Sequence, residues 1–149
     1  MLARDIMTAH PTVVTPGDSI VQAARLMRDR NVGVLPVIGD LRSRRLAGIL
    51  TGRDIVTRCL AEGHAGGCTV RDHMTDTNLE CVAPDSDVSE VVAKMKSAQV
   101  RRIPVVAEER GLVGIIGVTD IALRLRPGHP SAVEELERLL TPASTLAAR

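Results

Sequence analysis

The sequence predicts a mixed α/β (α+β) fold in which one small unit is written twice, and three observations predict it. The stretch Gly48 to Asp54, Gly-Ile-Leu-Thr-Gly-Arg-Asp, returns as Gly114 to Asp120, Gly-Ile-Ile-Gly-Val-Thr-Asp. Ile20, Ala23, Ala24 and Met27 are spaced as one buried helix face, and Val88, Val91, Val92 and Met95 repeat that spacing. An apolar run centred on proline, Val34-Leu35-Pro36-Val37-Ile38, has its counterpart in Arg102-Ile103-Pro104-Val105-Val106. At 149 residues the chain can bury one core or two small cores that share an interface, and a half-size unit is too thin to stand alone.

Each element can be justified in order. The first unit opens with Arg4-Asp5-Ile6-Met7-Thr8 and the second with Arg71-Asp72-His73-Met74-Thr75. Short extended pieces follow, Thr12-Val13-Val14 and Glu80-Cys81-Val82. Beyond Pro16 and Pro84 come helix starts: Ser19 with Gln22, and Asp87 with Glu90, have the three-residue spacing of a reciprocal cap. These helices end near Asn31 and Gln99. The proline-centred runs read as strands, the proline marking an edge or a bulge because it has no N–H for a ladder. After a polar turn, Leu46 to Leu50 and Leu112 to Ile116 read as further strands. Another helix then starts after Thr51 or Gly117 and reaches about Ala61 or about Leu125. Each unit is therefore β-α-β-β-α, with a helical crossover joining a parallel pair and a hairpin formed by the last two strands. The first repeat is expected over 1–62, a glycine-rich linker over 63–68 and the second repeat over 69–126. A C-terminal helix opening at Ser131 and Glu134, with a loose tail, is expected within 127–149.

Composition narrows the function. Hydrophobic residues are 44%, charged residues 25% and the net charge +1, which lacks the basic stripe of a nucleic-acid binder. Phe, Tyr and Trp are absent, so a base or sugar ring has to rest on aliphatic side chains rather than on a stacking platform. No apolar run approaches the roughly 20 residues of a membrane span, and Asp5 stands where a signal peptide would be apolar. Three cysteines, Cys59, Cys68 and Cys81, suit a reducing compartment, and a cytoplasmic protein is expected. There is no Ser-His-Asp series, no cysteine with a plausible base and no phosphate-cradling Gly-Lys-Ser/Thr loop, so an enzyme is not expected.

From about Ala3 to Arg124, four signals each occur twice: the Asp-(x)-Met-Thr opening, the helix after proline, the apolar-Pro-Val strand and the Gly-apolar-apolar-(Thr)-x-x-Asp close. In these the chain resembles a tandem pair of CBS domains, the regulatory module named after cystathionine beta-synthase. Val100-Arg101-Arg102-Ile103-Pro104-Val105 is similar to the small stand-alone bacterial pairs of the hypoxic response protein type. The resemblance implies two pseudo-symmetric repeats packed through their sheets, with clefts that take adenosyl nucleotides such as AMP, ADP or ATP. It also implies a flat homodimer and a sensing rather than catalytic role.

The candidate site follows from the doubled aspartate. At a helix start, Asp54 or Asp120 can accept hydrogen bonds from both hydroxyls of a ribose. Each can equally serve as a helix cap, Asp54 with Thr51 most directly. Gly117 departs from the family pattern, where Thr or Ser is usual, and Thr119 can supply a hydroxyl instead, so the two clefts are expected to differ. Arg101 and Arg102 offer guanidinium forks for phosphate, where the first repeat has Gly33 and Val34, or else pair with Glu108 or Glu109. Arg53 is a further phosphate contact. The base would lie against Val14, Leu35, Pro36, Val82, Ile103 and Pro104.

The expectation is thus a regulatory protein that binds an adenine nucleotide in the cleft between its repeats and signals through a conformational or dimer change. AMP, ADP, ATP and S-adenosylmethionine are the candidate ligands, and no cofactor is required. Two alternatives stay open. One is a ligand-free dimerisation or scaffold module whose aspartates only cap helices. The other is a metal- or redox-responsive protein using Cys59, His64, Cys68 and Cys81. Cys59, His64, Cys68 and His73 are zinc-type donors, but in spacings of four, three and four residues that match no common zinc pattern.

Overall fold

The computed structural model describes residues 1–64, 66–125 and 138. Helix α1 (Ala3–Ile6) leads into β1 (Thr8–Ala9), followed by α2 (Ile20–Arg30), β2 (Val34–Ile38), β3 (Leu46–Thr51) and α3 (Gly52–Asp54). The last of these continues as a π-helical stretch, Ile55–Leu60. Then come α4 (Val70–His73), α5 (Val88–Ala98), β4 (Arg102–Ala107), β5 (Gly111–Gly117) and α6 (Val118–Leu125). Apart from Arg138, the helix and tail expected beyond 127 lie outside the described residues. No helix among the described residues is long and apolar enough to cross a membrane.

Two compact units divide the chain, and neither is one continuous stretch. One joins Met1–Ala9 and Glu80–Glu108 to the described residues from Val113 to Leu125, and the other joins His10–Leu79 to Glu109–Leu112. In the first unit the sheet order is β1-β5-β4, with Thr8 opposite Ile115 and Ala9 opposite Gly114 in an antiparallel pair. Val82 adds a parallel bridge to Val105. Ala3 and Ile6 of α1 enter the same core as Val91 and Met95 of α5, Ile103 of β4 and Ile116 of β5. In the second unit β2 and β3 form an antiparallel pair, Val14 bridges in parallel to Val37, and Thr75 bridges to Ile49. Val70 of α4 shares that core with Val14, Ile20, Ala23, Leu35, Leu50, Ile55 and Cys59.

Several local expectations hold, for local reasons. Ser19 Oγ accepts from Gln22 N at 3.0 Å while Gln22 Oε1 accepts from Ser19 N at 3.1 Å, completing the reciprocal cap. Asn31 and Gln99 end their helices in the left-handed conformation. A bulge falls between Val37 and Ile38, directly after Pro36.

Other expectations need correction. The extended pieces at Thr12–Val14 and Glu80–Val82 each shrink to a single bridge, because Pro11, Pro16 and Pro84 flank them and cannot extend a ladder. What remains is one pair of bonds per unit. Val14 N donates to Pro36 O and Ile38 N to Val14 O, and in the other unit Val82 N donates to Pro104 O and Val106 N to Val82 O. Asp87 caps Ser89, taking its N–H at 2.9 Å and its hydroxyl at 2.7 Å. Glu90 therefore has no part in that cap and lies 4.0 Å from Lys94. Ala24, expected in the buried face, is exposed. It lines an apolar groove of about 360 Å³ with Val21, Ile55 and Leu60.

The glycine heading each doubled stretch is a packing requirement. A Cβ on Gly48 would lie 2.8 Å from Thr75 O and 3.1 Å from Met74 Sδ, and one on Gly114 would collide with Met7 Sδ and Cγ. The Met-Thr openings thus lie across these strands, Met74-Thr75 over β3 and Met7-Thr8 over β5. Gly48→Ala is expected to cost about 1–3 kcal/mol by overpacking. Gly114→Ala should cost less, because its obstacle is a flexible side chain, whereas Thr75 O is held by Ile49 N at 2.9 Å. Urea titration of both variants checks the order, and equal costs would contradict it.

Candidate functional site

At each strand-to-helix junction a carboxylate accepts the backbone N–H of the residue just before the helix. Where β3 runs into α3, Thr51 Oγ1 accepts from Asp54 N and Asp54 Oδ2 accepts from Thr51 N, both at 3.0 Å. Oδ1 of Asp54 faces Arg58 Nε at 3.8 Å. Where β5 runs into α6, Asp120 Oδ2 accepts from Gly117 N at 2.7 Å. Gly117 has no hydroxyl to reciprocate, and Thr119 is exposed.

The second junction carries Arg101 and Arg102 at the head of the strand beside it, where the first has Gly33 and Val34. Val118 N donates to Arg101 O at 3.1 Å, whereas at the first junction Gly52 N donates to Gly33 O at 3.0 Å. A Cβ on Gly117 would lie 3.4 Å from Asp120 Oδ2, 3.7 Å from Arg102 Cγ and 3.8 Å from Arg102 Nε. The residue missing a side chain thus leaves a space bordered by a carboxylate and a guanidinium. Arg101 and Arg102 are both exposed, as is Arg53 on α3.

The structure gathers Arg101, Arg102, Thr119, Asp120, Val82, Ile103 and Pro104 in one unit, and Thr51, Arg53, Asp54, Val14, Leu35 and Pro36 in the other. Val14, Leu35, Val82 and Ile103 are at most 3% exposed and are core members of their units, and Pro36 and Pro104 are also buried.

A second cluster lies wholly within His10–Leu79. Cys59 sits in the π-helical stretch, His64 on the turn after it, Cys68 ahead of α4, and His73 is the last residue of α4. Their donor atoms all lie within 4.8 Å of one another. His64 Nδ1 is 3.4 Å from His73 Nε2, and the ring centroids are 5.2 Å apart. Cys59 and His73 are buried, Cys68 half-buried and His64 exposed. Burial pushes the Cys68 thiol up from its ordinary value, and Cys59 beside it pushes the same way. Both segments are pinned by the backbone: His64 N donates to Cys59 O at 3.0 Å, and Ile20 N to Cys68 O at 3.0 Å.

Sequence reasoning missed Arg58. Its Nη1 lies 3.4 Å from both His73 O and Met74 O, at the C-terminal end of α4 where a cation is favoured. The available signal was its position four residues after Asp54.

The doubled bridge, helix, hairpin and helix, with an aspartate capping the last helix each time, define a tandem CBS pair. The CBS domain model matches residues 3–61 and 70–126, and the chain belongs to that family. It is 39% identical over 127 residues to Hypoxic response protein 1 of Mycobacterium tuberculosis, covering 85% of this chain and 86% of that protein. The crystal structure of Hypoxic Response Protein I with two coordinated zinc ions superposes with a TM-score of 0.74 at 39% identity, over 85% of this chain and 100% of that one. The CBS domain pair of protein MJ0100, in complex with 5'-methylthioadenosine and S-adenosyl-L-methionine, superposes with a TM-score of 0.69 at 32% identity, over 84% and 94%.

Proposed function

We propose that this CBS pair is a regulatory sensor of an adenosyl ligand, held at the strand-to-helix junctions. The observation that carries the reading is that Asp120 and Arg102 both border the space left by the bare Cα of Gly117. There a ribose can be gripped by the carboxylate and a phosphate or other anionic group by the guanidinium. Asp54 with Arg53 supplies a weaker version at the other junction, and the adenine rests on the aliphatic strand edges near Pro36 or Pro104. The complex of the related MJ0100 pair with two adenosyl compounds supports this ligand class. A ligand moves such a protein only by binding its states unequally, so signalling requires a change in assembly or dynamics. The assembly in this reading is a cytoplasmic homodimer, for which exposed Val21, Val56 and Leu60 supply an apolar face.

The test uses the lack of aromatic side chains. Purified protein should show an adenine absorption band if ligand co-purifies. Ligand-free protein is then titrated with AMP, ADP, ATP and S-adenosylmethionine. At about 100 times its Kd the correct ligand stabilises by about 2.7 kcal/mol, which for a chain of this size is a Tm rise of about 5–10 °C. Sedimentation of the same samples should give a dimer whose mass or shape responds to ligand. No band, and no Tm shift with any of the four at millimolar concentration, would leave the junction aspartates as helix caps in a scaffold.

A further inference from the structure

We propose that Cys59, His64, Cys68 and His73 form a closed four-ligand site for a zinc ion, within the unit built around His10–Leu79. The inference stands on this cluster alone and is independent of any nucleotide at the junctions.

Four donors from two short segments converge on one point, with all donor atoms within 4.8 Å of one another. Zinc–nitrogen bonds of about 2.0–2.1 Å at tetrahedral angles put two imidazole nitrogens about 3.3–3.4 Å apart. The separation of His64 Nδ1 and His73 Nε2 is 3.4 Å. Two thiolates on the same ion would be about 3.8 Å apart, a spacing within the spread of this cluster.

The donor set selects the metal class. Two sulfurs and two imidazoles suit zinc, and offer no oxygen shell for magnesium or calcium. With four protein ligands no position remains for water or substrate, so the ion acts as a staple rather than a catalyst. Cys59 and His73 are buried in the unit's interior while exposed His64 gives the ion a way in. The π-helical stretch contributes here, since its wider turn sets the position from which Cys59 meets His64, Cys68 and His73. Bound metal would tie the end of the first sequence repeat to α4, the opening of the second, across the glycine-rich connection.

The competing account is a histidine–histidine hydrogen bond beside two ordinary thiols, and metal analysis separates the two. The full chain, purified with a thiol reductant, is expected to hold one zinc per chain after reconstitution and dialysis. Cobalt(II) should replace it and give thiolate-to-cobalt charge transfer together with intense visible bands of a tetrahedral site. His64→Ala removes an exposed ligand and leaves the core intact, and Cys68→Ser tests a sulfur. Each variant is expected to keep its circular dichroism, to bind zinc at least tenfold more weakly and to lose the rise in Tm that zinc gives the wild type. Wild-type protein that retains no stoichiometric zinc, cobalt spectra without thiolate charge transfer, or variants that bind as the wild type does would each overturn the proposal.

Discussion

Asp120→Ala is expected to lower the affinity for an adenosyl ligand about 10- to 100-fold while costing the fold only about 1 kcal/mol. The two effects have separate origins. Asp120 Oδ2 accepts Gly117 N at 2.7 Å, and losing a helix-start acceptor of this kind costs about 0.5–2 kcal/mol. Charge-assisted hydrogen bonds to ribose hydroxyls contribute about 1.5–3 kcal/mol, and neither Gly117, which has no side chain, nor the uncharged Thr119 hydroxyl supplies an equivalent. Asp120→Asn sharpens the comparison, because the amide oxygen still caps Gly117 N while the charge is gone. Stability should then recover while affinity stays low. Calorimetric titration and thermal melts of both variants check this. Unchanged affinity beside a lowered Tm would show that Asp120 is only a cap.

The larger effect on stability is expected from Gly111→Ala, about 2–4 kcal/mol, from two separate sources. Gly111 has φ +67°, where an L side chain costs roughly 1–2 kcal/mol. Its Cβ would also lie 2.5 Å from both Ser43 O and Arg44 O, which are backbone atoms and cannot rotate away. The overlap would disturb a docking contact, because Leu112 N donates to Arg44 O at 2.9 Å and Arg44 Nε donates to Leu112 O at 3.1 Å. The turn beneath is stiff, with Asp40 accepting from Arg42 N, Ser43 N and the Ser43 hydroxyl. A Tm loss on the order of 5–15 °C follows for a chain of this length. Gly17→Ala is the control, since its Cβ would meet nothing within 4 Å and should change stability little. Equal melting of the two variants would refute the account.

How far the site could be read in advance depended on how local its parts are. The Thr51–Asp54 cap involves residues three apart, so their types and order announce it. The Cys59, His64, Cys68 and His73 set was visible as donors, but its spacing did not show that two segments fold back on each other. Ala24 was misplaced because helical periodicity identifies a stripe and not its width, and at this edge of α2 the stripe faces an open groove.

By itself, the sequence determined the doubling, the order of elements, the helix ends at Asn31 and Gln99, and the family, because these depend on neighbours a few residues apart or on pattern repeated along the chain. Only the tertiary structure decided that Met7-Thr8 lies on β5 while Met74-Thr75 lies on β3, and that Glu109–Leu112 docks on the Asp40 turn. The physical reason is degeneracy. Both strands offer the same glycine and the same edge to either Met-Thr opening, so no local preference separates the two pairings. Contacts between residues distant along the chain make the choice.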